Sequence, residues 1–99
     1  MESGEEVRVE HFQVRGRVQG VGYRYWTLQT ARSLGVRGTV RNRPDGTVEV
    51  TAAGERQALQ ALRDALAEGP PGARVTEVRR LDETAPAEEE LPDRFEIVR

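Results

Sequence analysis

Hydrophobic residues recur with two different spacings along this chain, and the order of the two spacings limits the folds it can adopt. Spacings of three and four residues predict helices over Gly22–Leu34 and Glu55–Glu68. Alternating or short apolar runs predict strands at about residues 7–15, 36–42, 47–53 and 73–81, with a short closing strand at Phe95 and Ile97. This β-α-β-β-α-β order with a short fifth strand predicts an α+β fold, a ferredoxin-like α/β-plait sandwich in which two helices cover one face of an antiparallel sheet.

Two local patterns refine this prediction. Apolar positions in the first strand change parity between Val9 and Phe12, which predicts either a bulge or a strand that begins near Val9. An Asp-Gly pair at 45–46 lies between two alternating runs and predicts a hairpin. In the predicted sandwich the first and second strands run the same way with the third between them. Their carboxyl ends therefore share one edge, about 10 Å apart.

That edge carries the residues best suited to chemistry. The first strand ends in the loop Gly16-Arg17-Val18-Gln19-Gly20-Val21-Gly22, and a helix opens directly after it. Glycines let a backbone turn and present amides to one point, and a helix N-terminus favours an anion. Arg24 can fork onto two phosphate oxygens, and Asn42 ends the second strand. Separately these features read as a turn, a surface charge and a turn residue, but their joint position favours a phosphate site.

Charge is distributed unevenly along the chain, although its net value is only −2. No Asp or Glu occurs between His11 and Pro44, and that stretch holds seven arginines: Arg15, Arg17, Arg24, Arg32, Arg37, Arg41 and Arg43. Such a block either concentrates anionic ligands or forms a basic outer face. The sequence has no cysteine, which excludes disulfides and thiolate metal sites. Its single histidine, His11, is expected to be an ordinary, partly exposed strand residue without a catalytic role.

Two segments also carry a family resemblance. Residues 14–24, Val-Arg-Gly-Arg-Val-Gln-Gly-Val-Gly-Tyr-Arg, closely resemble the first signature of the acylphosphatase family. Residues 38–42, Gly-Thr-Val-Arg-Asn, followed by Asp-Gly-Thr-Val at 45–48, resemble the second. The family usually has an aromatic residue where this chain has Thr39, a departure that bears on substrate packing more than on chemistry.

The resemblance implies an enzyme that hydrolyses the carboxyl–phosphate bond of acyl phosphates, releasing a carboxylate and inorganic phosphate. It implies that Arg24 binds the phosphate together with loop amides and that Asn42 holds the attacking water. We expect the phosphate to contact Gln19, Gly20, Val21, Gly22, Tyr23 and Arg24. No metal or cofactor is required, and inorganic phosphate is expected to inhibit as a product. The side chains of Tyr23 and Trp26 have the spacing of core residues rather than of a stacking platform.

Two other functions stay open at this point. The fold order is shared with RNA-binding modules, but these need exposed aromatics on the central strands, where this chain offers only Phe12. The second alternative is a non-catalytic phosphate- or acyl-phosphate-binding accessory domain. Otherwise the sequence leads us to expect one domain over 1–99 with a flexible tail at 1–6. We expect a cytoplasmic monomer that does not bind nucleic acid. We also expect no association with a membrane, because no apolar run is long enough to span a membrane.

Overall fold

The computed structural model describes residues 6–81 and 85–99. Its elements in chain order are β1 (Val7–Arg17), α1 (Tyr23–Ser33), β2 (Arg37–Asn42), β3 (Val48–Glu55), α2 (Arg56–Glu68), β4 (Arg74–Arg80), a single 3-10 turn (Glu88–Glu90) and β5 (Glu96–Ile97). The predicted flexible tail lies, apart from Glu6, outside the described residues, as do residues 82–84. The predicted α+β order is thus confirmed, with helix ends within one residue of expectation.

The five strands form one sheet in the order β4-β1-β3-β2-β5. The first four pair antiparallel, as predicted, but β5 runs parallel to β2, with Thr39 opposite Glu96. The sheet is therefore mixed rather than wholly antiparallel. The path of the chain from β4 to β5 explains why β5 runs parallel to β2. The Leu81 amide donates to the His11 carbonyl, so β4 ends at the row of His11, and Thr39 lies in that same row. The chain therefore enters β5 from the end at which β4 leaves the sheet.

Both helices pack on the same face of the sheet, as predicted. Even-numbered residues of the three central strands point toward them, for example Phe12, Val50 and Val40, which form one row across the sheet and are fully buried. The helices contribute Tyr23 and Ala31 from α1 and Leu59, Leu62 and Leu66 from α2 to the same core. Odd-numbered strand residues point to the opposite side, called the open face here.

The prediction of an irregularity between Val9 and Phe12 of β1 is wrong. Pairing of β1 with β3 runs without a break from Val7 to Val14, so Val7 and Val9 simply lie on the open face while Phe12 faces the helices. The bulge occurs instead at Gly16, against β4. A Cβ at Gly16 would lie 2.1 Å from the Arg74 carbonyl oxygen, so this glycine is required by close backbone packing.

The β2–β3 hairpin turns at the predicted Asp-Gly pair. Gly46 has a φ of 91°, and the amide of Arg43 donates to the carbonyl of Thr47 at 2.8 Å. The Asp45 carboxylate accepts from the Thr47 amide at 3.0 Å and from its hydroxyl at 2.6 Å. These bonds from Thr47 lower the pKa of Asp45. The turn is thereby built from local contacts that the sequence specifies.

Arg37 makes several bonds to the segment that leads into β5. Its Nε donates to the Pro92 carbonyl at 3.0 Å, and its Nη2 donates to the carbonyls of Leu91 and Glu88 at 2.7 and 3.2 Å. Its Nη1 lies 3.2 Å from the Glu88 carboxylate. Together with burial of Leu91 and Phe95, these bonds fix the approach to β5.

Candidate active site

The loop between β1 and α1 has the backbone expected of an anion-binding turn. Gly20 and Gly22 have φ values of 77° and 78°, in the left-handed region that other residues rarely adopt, and Gly22 caps the N-terminus of α1. The first turn of α1 carries Arg24 and no acidic residue. Free amides and the positive end of the helix dipole therefore face the loop without a competing carboxylate from that turn. Gly16 and Arg17 belong to β1, so the loop is shorter than the sequence indicated.

Gln19 connects this loop to the neighbouring hairpin. Its side-chain Nε2 donates to the Arg43 carbonyl at 2.9 Å and to the Thr47 carbonyl at 2.8 Å. These two carbonyls also accept the bonds that close the turn, from the amides of Gly46 and Arg43 respectively. The Gln19 side chain thus spans the base of the hairpin.

Asn42 is the last residue of β2. It lies opposite Val48, which in turn lies opposite Val14 of β1, so two strand spacings, about 10 Å, separate it from β1. The Oδ1 of Asn42 is buried and has no hydrogen-bond partner among residues 6–81 and 85–99. Buried polar atoms are normally satisfied, and an exception calls for an explanation such as a catalytic role or a bound water or ion.

A cavity of about 450 Å³ brings these elements together. It is lined by Val18, Gly20, Gly22, Tyr23, Arg24, Tyr25, Asn42, Ile97 and Arg99. The residues predicted from sequence that line it are thus Gly20, Gly22, Tyr23, Arg24 and Asn42, whereas Gln19 and Val21 do not. Val21 packs against the core, and the Gln19 side chain is directed to the hairpin. The predicted meeting of loop, arginine and asparagine is therefore present, while their catalytic roles stay predictions.

Tyr23 lines the cavity and is also part of the hydrophobic core. Its hydroxyl donates to the Leu66 carbonyl at 2.7 Å, which ties the start of α1 to the end of α2. The side chain is buried, and burial raises the pKa of Tyr23 above its ordinary value. Its ring lies 5.6 Å from that of Trp26 in a tilted arrangement. The side chain is thus part of the core, as its spacing indicated.

Most arginines of the basic block serve the fold. Arg37 binds the approach to β5, and Arg32 donates to the Phe95 carbonyl at 3.0 Å. Arg41 and Arg43 on the open face bind the carboxylate of Glu49, at 2.5 and 3.3 Å. Of the seven arginines, Arg24 is the one that lines the cavity. The positive charge of the basic block therefore does not by itself locate the active site.

Glu49 is the centre of an ionic cluster on the open face. Its second carboxylate oxygen lies 2.5 Å from Nε2 of His11. Burial would raise the pKa of Glu49, but the hydrogen bonds from Arg41 and His11 outweigh it and lower the pKa. His11 is thus a strand residue away from the cavity, as predicted, but it is buried beside the Glu49 carboxylate rather than partly exposed.

Sequence reasoning missed three residues of the cavity. Tyr25 lies off the apolar stripe of α1 and is 59% exposed. The helical period of the sequence is sufficient to predict that this aromatic side chain is exposed. Ile97 and Arg99 reach the cavity because β5 pairs with β2. No local sequence pattern predicts this pairing. Thr39, by contrast, lies mid-strand on β2 and does not line the cavity.

Two further properties concern the described part of the chain. Residues 6–81 and 85–99 contain no group of three His, Asp or Glu side chains placed to hold a metal ion. Within the same ranges, neither helix has the length and apolarity needed to cross a membrane.

Known proteins share both the sequence and the fold. The family model described as Acylphosphatase matches residues 10–97. The chain is 51% identical over 86 residues to an acylphosphatase of Nitratidesulfovibrio vulgaris, covering 87% of this chain and 85% of that protein. It is 59% identical over 68 residues to one from Cupriavidus pinatubonensis, covering 69% and 76%. The crystal structure of acylphosphatase from Bacillus subtilis aligns with a TM-score of 0.79 at 34% identity, covering 95% of this chain and 100% of that one.

The family model and these relatives define a hydrolase acting on acid anhydrides. Within that class, the chain belongs to the acylphosphatase family.

Proposed function

We propose that this acylphosphatase hydrolyses acyl phosphates in the cavity between the 18–22 loop, the start of α1 and the end of β2. The observation that carries the proposal is that Asn42 and Arg24 line the same cavity, and that Asn42 keeps an acceptor, Oδ1, without a partner among the described residues. An acceptor for water and a fixed cation beside an anion loop are the two elements that hydrolysis of a phosphate anhydride needs.

Phosphate binding falls to the loop and the first turn of α1. Gly20, Gly22, Tyr23 and Arg24 line the cavity, the helix dipole favours negative charge at the N-terminus of α1, and the Arg24 guanidinium can form two parallel bonds to phosphate oxygens. These donors neutralise the equatorial oxygens as charge develops on them in the transition state.

Water activation falls to Asn42. Its carboxamide oxygen accepts a hydrogen bond from the water, which aims an oxygen lone pair at phosphorus. The new P–O bond forms as the bond from phosphorus to the acyl oxygen breaks, and the electron pair leaves with the carboxylate. A carboxylate of pKa about 4 is a good leaving group, so no strong base is required. The water's proton passes to an oxygen of the phosphate product, and positioning provides most of the rate enhancement.

The acyl part of the substrate would lie at the mouth of the cavity. Tyr25 and Ile97 line it and are 59% and 38% exposed, an unusual exposure for large apolar side chains beside a polar loop. Arg99 adds a second cationic residue to the lining. These three residues offer an apolar surface with a positive rim to the organic half of the substrate.

The alternatives fit less well. An RNA-binding module would need Phe12 exposed on the sheet, but Phe12 faces the helices and is fully buried. A non-catalytic phosphate-binding domain has no use for an unsatisfied acceptor beside the anion loop, because an oxygen acceptor repels phosphate. We retain the proposals of one domain, a cytoplasmic monomer, no nucleic-acid partner and competitive inhibition by inorganic phosphate.

Turnover of benzoyl phosphate tests the proposal directly. We expect wild-type protein to hydrolyse it without added metal and to be inhibited competitively by inorganic phosphate. A folded protein that binds phosphate but does not hydrolyse benzoyl phosphate would support the accessory-domain alternative. Light scattering and cell fractionation test the monomeric state and the location.

A further inference from the structure

The two catalytic elements proposed above lie on different segments of the chain. Phosphate is held by the 18–22 loop and α1, while the water is held at the end of β2. In-line attack requires the distance between phosphorus and water to be fixed within a fraction of an ångström. Since a glycine-containing loop is intrinsically adaptable, some contact must set its position relative to Asn42.

The contact that does this is the side chain of Gln19. Both N–H bonds of its Nε2 are used, one to the Arg43 carbonyl at 2.9 Å and one to the Thr47 carbonyl at 2.8 Å. Arg43 follows Asn42 directly in the chain, and Thr47 precedes Val48, the pairing partner of Asn42. One amide group therefore ties the anion loop to both ends of the connection between β2, which carries Asn42, and β3.

We propose that the Gln19 side chain is a positioning residue, which sets the distance between bound phosphate and the water held by Asn42. This inference rests on the proposed function. It differs from the sequence-based expectation for Gln19, which concerned its place among the phosphate contacts. The side chain acts through the hairpin, because its donors are engaged there and Gln19 does not line the cavity.

The chemistry of the contact is specific for glutamine. Two carbonyl acceptors require two donors on one atom, which a primary amide supplies and a carboxylate does not. Asparagine offers the same donors on a side chain one methylene shorter, and methionine has similar length without donors. Gln19→Met therefore removes both bonds while adding no charge near the phosphate.

The experiment is a double-mutant cycle in the full chain with benzoyl phosphate. Gln19→Met should lower kcat by about 10–100-fold, the range expected for misplacing a reacting group by about 1 Å. The inhibition constant for phosphate should change less than about 3-fold, because the loop amides and Arg24 are retained. In an Asn42→Ala background the same Gln19→Met change should lower kcat by less than about 3-fold, since the water-holding group is already absent. Gln60→Met, at an exposed glutamine of α2 bonded to Asp64, is the matched control and should leave kcat unchanged.

The outcomes separate this inference from the proposed function. Equal losses of kcat from Gln19→Met in both backgrounds would show a merely structural role and overturn the inference while leaving the role of Asn42 intact. A large weakening of phosphate inhibition by Gln19→Met would also overturn it, because the loop itself would then depend on the clamp. Wild-type kcat for Asn42→Ala would instead overturn the role of Asn42 and the coupling with it. Partial recovery of kcat in Gln19→Asn relative to Gln19→Met would support the role of the two donors.

Discussion

Replacing Asn42 by alanine should separate stability from activity. Its Oδ1 is buried without a partner among the described residues, and such an acceptor costs about 1–3 kcal/mol of folding free energy. The side chain is half-buried, so little apolar area is lost with it. We therefore expect Asn42→Ala to be as stable as wild type or more stable by about 1 kcal/mol, which raises Tm by about 4–8 °C in a domain of this size.

Activity should move in the opposite direction. Loss of one positioned catalytic group typically lowers kcat by about 10²–10⁴-fold, or about 3–5 kcal/mol of transition-state stabilisation. Inhibition by phosphate should remain close to wild type, because Arg24 and the loop amides bind the anion. Thermal unfolding followed by circular dichroism, together with kcat and the phosphate inhibition constant, measures all three quantities on one protein.

Thr27 offers a matched control for the stability effect. Its Oγ1 is the other buried side-chain atom in the described ranges without a hydrogen-bond partner, and Thr27 does not line the cavity. Thr27→Val removes that oxygen without changing side-chain volume and should raise Tm while leaving kcat unchanged. If Asn42→Ala lowers Tm by several degrees and keeps wild-type kcat, the unsatisfied oxygen has a structural role and the proposed mechanism is wrong.

The substitution Asn42→Asp addresses the charge. A carboxylate accepts a hydrogen bond from water at least as well as an amide, but it places a negative charge beside a phosphate dianion and gives up the amide's donors. We expect kcat as low as in the alanine variant, with weaker phosphate inhibition. High residual activity in the aspartate variant would show that Asn42 acts only as an acceptor.

Four further predictions concern the cavity and the fold. Arg24→Ala should weaken phosphate inhibition and turnover together, since the guanidinium contacts phosphate in ground and transition states; unchanged inhibition would contradict this. Tyr25→Ala should raise KM for benzoyl phosphate by a larger factor than it lowers kcat, and acetyl phosphate, with its small acyl group, should be affected less. Arg37→Met should destabilise the fold by about 2–3 kcal/mol because three carbonyls lose a charged donor, whereas Met at the exposed Arg94 should have little effect on Tm. Because the folded-state pKa of Glu49 lies below its ordinary value of 4.5, its contribution to stability is present above that pH and lost as pH falls through the folded pKa; Glu49→Gln should flatten the decline of Tm in acid.

Local patterns predicted the elements of this fold because each is determined by nearby residues. The apolar stripe of α2 and the Asp45-Gly46 turn depend on contacts within a few positions, and both were found where expected. The edge that holds Arg24 and Asn42 followed from element order alone, since parallel alignment of β1 and β2 is a property of the topology.

Features that depend on distant partners could not be read in this way. The parallel pairing of β5 with β2 depends on contacts far apart in sequence, so Ile97 and Arg99 were not foreseen in the cavity. The bulge at Gly16 depends on the approach of β4, more than fifty residues later. The basic block has no acidic residue in sequence, but it does have acidic neighbours in the fold. The pairing of β2 with β3 places Glu49 opposite Arg41.

The site departs from the rules that make the rest of the chain predictable. Asn42 keeps a buried acceptor unsatisfied, and Gly20 and Gly22 hold left-handed backbone beside a helix that begins without a side-chain cap. The unsatisfied acceptor raises the free energy of the folded state, whereas glycine adopts left-handed backbone at little cost, and all three residues line one cavity. A cost such as the unsatisfied acceptor persists where the surrounding structure compensates for it, and such costs concentrate at functional sites. The Gln19 side chain connects two parts of this site, because its two donors join the loop to the hairpin that follows Asn42 and so set the position of one relative to the other.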